Sequence, residues 1–139
     1  MAEIVRTRID AGALAAAAAR EDCGAIAQFQ GTTRDHHAGR RVTSLAYEAY
    51  ERMAQDALDR IEREACGRFG IASCGVVVRL GVVPPGEASV VITVASAHRG
   101  PAFDACRWAI DTLKATAPIW KKERYEDGDE AWVKGTPLA

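Results

Sequence analysis

Apolar residues recur along this chain with two spacings, period two and period 3.6, and the switches between them mark the elements. Residues 4–9 mix apolar positions with Arg and Thr as a half-buried strand does. Asp10 then stands where an N-cap is needed, ahead of an alanine-rich helix over 11–19. Residues 25–33 predict a second strand. Residues 34–41, RDHHAGRR, are polar and aperiodic and read as a mobile loop. A third strand follows over 42–50. Next comes a helix over 51–69, whose Ala54, Leu58, Ile61, Ala65 and Phe69 form one apolar stripe.

The second half repeats the alternation. Residues 74–83 are rich in β-branched side chains and predict one strand, closed by the turn Pro84-Pro85-Gly86. Residues 89–97, SVVITVASA, are apolar on both faces and predict a central strand. A third helix spans 101–117, with Phe103, Cys106, Ile110, Leu113 and Ala117 as its buried face. Strands at 119–125 and 131–133 flank an Asp127-Gly128-Asp129 turn and predict a terminal hairpin. The order β-α-β-β-α-β-β-α-β-β describes an α+β domain with a largely antiparallel sheet. With no repeat or linker, residues 1–139 read as a single domain.

Composition narrows the function. The 139 residues are 48% hydrophobic and 27% charged, with a formal net charge of −1, so no global positive field argues for nucleic acid. No apolar run approaches a membrane span, and the charged start MAEIVRTRID lacks a signal peptide's apolar core. Cys23, Cys66, Cys74 and Cys106 show no metal-ligand spacing and read as reduced thiols of a cytoplasmic protein. His36 and His37 lack a third spaced ligand, so no metal is expected there.

Cations are nevertheless concentrated at both ends of the third helix. His98-Arg99 opens it, where free backbone N–H groups and the helix dipole favour a phosphate or carboxylate, or where His98 merely caps. Lys114 falls at the edge of the buried face, where desolvation and neighbouring cations disfavour a charged amine. The other reading, a snorkelling lysine paired with Asp111, is the one periodicity alone favours. Pro118 ends the helix and can fold Lys121 and Lys122 back toward Lys114; in a strand their side chains diverge to opposite faces. Arg34 borders the 34–41 loop and can close on an anion.

Taken in order, GAIAQFQGTTR (24–34), TSLAYEAYERMA (43–54), HRGPAF (98–103), DTLKATAPIWKKE (111–123) and DGDEAWV (127–133) closely resemble the large, catalytic subunits of molybdopterin synthase. The likeness covers nearly the whole chain and implies an α/β-hammerhead-type fold. It implies a sulfurtransferase of molybdenum-cofactor biosynthesis, acting on cyclic pyranopterin monophosphate. Sulfur would come from the thiocarboxylated tail of a small ubiquitin-like subunit, with a homodimer of this chain at the centre of a heterotetramer. No cofactor or metal is implied. Thr32, Thr33 and Arg34 match the family's substrate loop, and His98 and Arg99 its anion contact. Lys114 and Lys121 match the catalytic lysines, and Lys122 and Glu123 complete the second basic segment.

The chain departs from the pattern at Val78-Arg79, where the family often has His-Arg. It also lacks an arginine past the terminal Trp-Val, leaving Lys134 as the cation available to reach a neighbouring subunit. Two other function classes use the same cations. A non-catalytic module would bind a protein C-terminus in a basic groove, and a phosphotransferring enzyme would use His98. The physical expectation common to the synthase reading is that Lys114, Arg34 and Arg99 share one pocket.

Overall fold

A computed structural model describes residues 1–133. Lys134, the candidate cross-subunit cation, lies outside the described residues. The element order is β1 (Glu3–Val5), α1 (Ala11–Ala18), β2 (Ala25–Thr32), β3 (His36–His37), β4 (Arg40–Ala49), α2 (Glu51–Phe69), β5 (Ser73–Arg79), β6 (Gly81–Val83), β7 (Ala88–Ser96), α3 (Arg99–Thr116), β8 (Ile119–Tyr125) and β9 (Glu130–Trp132).

These strands form two sheets. The first runs β1-β5-β7-β2; only the β1–β5 pair is parallel. The second runs β3-β4-β8-β9, with β6 added to the free side of β4, and is antiparallel throughout. The α+β class and the antiparallel character therefore match the sequence reading, as do the three helices and the β8–β9 hairpin. All nine residues of β7 are buried, which is what its two apolar faces require. One face carries α2 and α3, with Leu58, Ile61, Ile92 and Leu113 at 2% exposure or less. The other carries α1 through Ile9, Val77, Ala88 and Val91, joined by Leu14. Asp10 caps α1, its carboxylate accepting from the Ala13 N–H at 3.0 Å.

Four expectations need correction, each for a physical reason. The strand foreseen over 74–83 is two strands in two sheets, because Gly81 at φ +85 turns the chain from one to the other. The first strand ends at Val5 rather than residue 9, since its partner β5 ends at the paired Arg79. Phe103 is 65% exposed; the buried face of α3 is Ala102, Ala105, Cys106, Ala109, Ile110 and Leu113. That face packs on α2, β2 and β7, and its own alanines let the helix approach them closely. The 34–41 segment is a hairpin, not an irregular loop: His36 pairs with Arg41 and His37 with Arg40 around Ala38 (φ +52) and Gly39 (φ +79).

Two positive φ values make this a type I′-like turn, which favours Asn-Gly over the Ala-Gly found here. Ala38 therefore carries a left-handed strain of about 1–2 kcal/mol. Ala38→Asn is expected to raise stability by about 0.5–1 kcal/mol, read as a higher urea midpoint at unchanged m.

Candidate active site

β8 places the chemistry. Its burial alternates, with Ile119, Lys121, Glu123 and Tyr125 facing inward and Trp120 and Arg124 outward. Lys121 is only 7% exposed. The chain reaches it by leaving α3 at Ala117 and turning through Pro118, so Lys114, in the helix's last turn and half-buried, is brought back beside the strand. Burial pushes the Lys121 amine below the ordinary lysine range. The Glu123 carboxylate opposes that shift, and the positive charges of Lys114 and Arg34 add to it. Lys114 and Arg34 thus both lie close enough to Lys121 to bear on its charge. No salt bridge between Lys114 and Asp111 occurs among the described residues.

Arg34 is delivered by the end of β2. Gly31 is dictated by packing: a Cβ there would stand 2.7 Å from Val90 Cγ1 and 3.3 Å from the Phe29 ring. The ladder with β7 then shifts register between Gly31 and Thr32, and such a bulge re-aims the chain beyond it. Thr33 is pinned on both sides of its backbone: its N–H donates to Glu87 O at 3.1 Å and its carbonyl accepts from Gly86 N at 2.9 Å. Its hydroxyl oxygen is buried near the Tyr47 phenol. Thr32 is exposed, and so is Arg34, whose guanidinium is free to meet an anion at the rim.

Two neighbours are not among the site residues read from the sequence, where His37 enters only as a candidate metal ligand. Tyr47 is the ladder partner of Lys121 and is 3% exposed. Burial holds its phenol above the usual range and the Glu123 carboxylate adds to this, while the nearby hydroxyls of Ser89 and Thr33 work against it. His37 Nδ1 lies 2.6 Å from Glu123 Oε1, an oxygen that also accepts from the Tyr125 hydroxyl at 3.3 Å. The alternation of β4 signals that Tyr47 faces inward; nothing local signals the reach of His37.

The remaining candidates lie apart. Lys122 points to the other face of β8, 3.5 Å from Glu130 and 4.8 Å from the Trp132 ring centroid. His98 occupies the N-cap of α3 without a side-chain capping bond, and Arg99 is the first helical residue; both are exposed. At about 1.5 Å per residue, Arg99 and Lys114 are about 22 Å apart along α3. Within one chain, therefore, Arg34, Lys114 and Lys121 come together with Glu123 and Tyr47, whereas His98 and Arg99 do not join them.

Residues 4–116 match the model of the MoaE protein family. The chain belongs to the MoaE family. It is 48% identical over 122 residues to a molybdopterin synthase catalytic subunit from Culex quinquefasciatus, covering 87% of this chain and 78% of that one. A molybdopterin synthase catalytic subunit from Oryza sativa subsp. indica is 53% identical over 109 residues, 78% of this chain and 56% of that longer one. Among solved structures, molybdopterin synthase from Staphylococcus aureus superposes with a TM-score of 0.89 at 33% identity, covering 96% of both chains. As a MoaE-family protein the chain falls among the enzymes of molybdopterin synthesis, and its two-sheet α+β architecture is that of the MoaE-type structures. All four cysteines are free, and none of the described helices is long and apolar enough to cross a membrane.

Proposed function

We propose that this MoaE-family chain is the sulfur-transferring subunit of a cytoplasmic molybdopterin synthase. Two sulfurs pass from the thiocarboxylated C-terminus of a small ubiquitin-like subunit to cyclic pyranopterin monophosphate, forming the dithiolene. Each transfer makes a carbon–sulfur bond on the pterin in place of a carbon–oxygen bond, the oxygen leaving with the phosphate as its ring opens or as water. Water then cleaves the carbon–sulfur bond at the tail's terminal carbonyl, and the tail departs as a carboxylate.

The observation that carries this reading is Lys121, an amine buried to 7% exposure and pushed below its ordinary range beside two further cations. An amine so placed is neutral more often near pH 7 than a surface lysine, and can accept a proton as sulfur adds. Lys114, at the edge of the same space, stabilises the charge that develops. Arg34, with the Thr32–Thr33 backbone behind it, binds the phosphate. In this reading the chain's own cations do the work without a bound metal or cofactor. His98 and Arg99, remote within one chain, serve a site by reaching it from the second copy in a homodimer. Lys122, on the outer face, belongs to the wall met by the small subunit.

The test is to mix the purified chain with thiocarboxylated small subunit and the pterin precursor and to follow dithiolene by mass spectrometry. Product is expected with the wild-type chain. Lys114→Ala should abolish product while leaving small-subunit binding intact. Loss of binding and product together would instead mark a module that only holds a tail.

A further inference from the structure

The β3–β4 hairpin that begins just after Arg34 is held against β8 by contacts of different kinds. Arg40 reaches Asp127 at 2.9 Å and Asp129 at 3.3 Å and stacks over the Tyr125 ring at 3.6 Å. These carboxylates are exposed, and such pairs contribute little in water. Among the described residues, the His36 side chain hydrogen-bonds its sequence neighbour Asp35, at 2.8 Å. His37 differs, because the oxygen it meets at 2.6 Å belongs to Glu123, a carboxylate 6% exposed on the strand that carries Lys121.

A buried carboxylate is costly unless its oxygens are hydrogen-bonded. Glu123 has one such bond from Tyr125 on its own strand, and His37 supplies one from outside it. The contact has a geometric consequence for Arg34. Upstream, the chain is pinned at Thr33 by Glu87 and Gly86; downstream, the Asp35 carbonyl accepts from the Val42 N–H at 2.7 Å, and beyond it the His37 side chain is held by Glu123. The ladder between β3 and β4 is two residue pairs long, enough to set register but too short to stop the ribbon twisting across the face of β8. On the inward face of β8, His37 supplies a restraint that the exposed Arg40 contacts do not, because its partner is buried.

We propose that His37 is a positioning residue for the substrate anion. By donating from Nδ1 to the buried Glu123 carboxylate it fixes the hairpin on β8, and so holds Arg34 over the space that Lys121 and Lys114 share. It touches no substrate itself. The inference rests on the reading of Arg34 and Lys121 as the site.

The experiment measures steady-state dithiolene formation with thiocarboxylated small subunit for four variants, alone and combined. His37→Ala is expected to raise KM for the pterin about tenfold with kcat within about twofold. His37→Asn, whose Nδ2 stands where Nδ1 does, is expected to restore KM to within about twofold, since the bond and not the ring is needed. Arg34→Ala should raise KM too, and adding His37→Ala to it should change nothing further. A fall in kcat at unchanged KM in His37→Ala, no rescue by Asn, or additive effects in the double variant would each overturn the proposal. Lys121→Met and Arg34→Ala separate this from the site reading. If both kept wild-type kinetics, the site itself would be misplaced and the inference would fall with it. If both were impaired beside a wild-type His37→Ala, the inference alone would fail.

Discussion

Lys121→Met is expected to lower the rate of sulfur transfer by about 10²–10⁴-fold, the range for loss of a positioned acid–base group, without weakening the fold. Methionine keeps the unbranched stem and fills the inward position on β8, so the substitution leaves no large cavity. It removes an amine whose charged form burial disfavours. A base with a folded pKa below its unfolded value binds fewer protons when folded, so its contribution to stability rises with pH between the two values and is a cost below both. Near pH 7 that cost disappears with the amine, and the urea midpoint should be no lower than wild type. Lys121→Arg should not restore activity, because a guanidinium stays protonated. A variant as inactive as Met but distinctly less stable would mean that Lys121 serves the fold.

The same group fixes the sign of the pH response. Activity that needs the neutral amine should rise with pH through an apparent pKa below 10.5. Glu123 pushes that amine up, so Glu123→Gln should move the limb to lower pH. Arg34 pushes it down, so Arg34→Ala should move it to higher pH. Opposite shifts from opposite charges are hard to obtain unless both groups face Lys121.

Much of this arrangement was legible in the sequence where a local rule governs. The stripe of α2 and the two-faced apolarity of β7 are periodicities, and they survive because burial enforces them. The divergence of Lys121 and Lys122 follows from strand geometry alone. The misreadings arise where a distant partner decides. Alternation over residues 4–9 cannot show that β5 offers partners only as far as Arg79. Steps of three and four along α3 admit either Ala102 or Phe103, and the packing of α3 on elements distant in sequence chooses between them. Ala38 gives no turn signal, because alanine at positive φ is tolerated there and not favoured. The pairing of His37 with Glu123 spans 86 residues, beyond any local pattern. The site shows the same division: its inward lysine was readable, but its wall of Tyr47, Glu123 and His37 depends on how two sheets meet.

Leu113→Ala should be the most damaging single change to the helices that support the site, costing about 2–5 kcal/mol of stability in a urea titration. Leu113 is fully buried at the inner end of α3, and its carbonyl accepts from the Ala117 N–H at 2.9 Å where the helix stops. Removing its side chain opens a cavity directly beneath the turn that directs Lys114 toward β8. Leu58→Ala provides the comparison. Leu58 is equally buried, and its loss should cost a similar 2–5 kcal/mol, but it lies on α2, outside the α3–β8 segment that carries Lys114 and Lys121. With total stabilities of about 5–15 kcal/mol, both variants remain folded enough to assay at low temperature. Under those conditions Leu58→Ala should keep near-wild-type kcat per folded molecule. Leu113→Ala should lose at least about tenfold, because misplacing a catalytic amine by about 1 Å is already expensive. Equal kinetics for the two variants would mean that the end of α3 is held by something other than its core packing, and that Lys114 does not depend on the helix beneath it for its place beside Lys121.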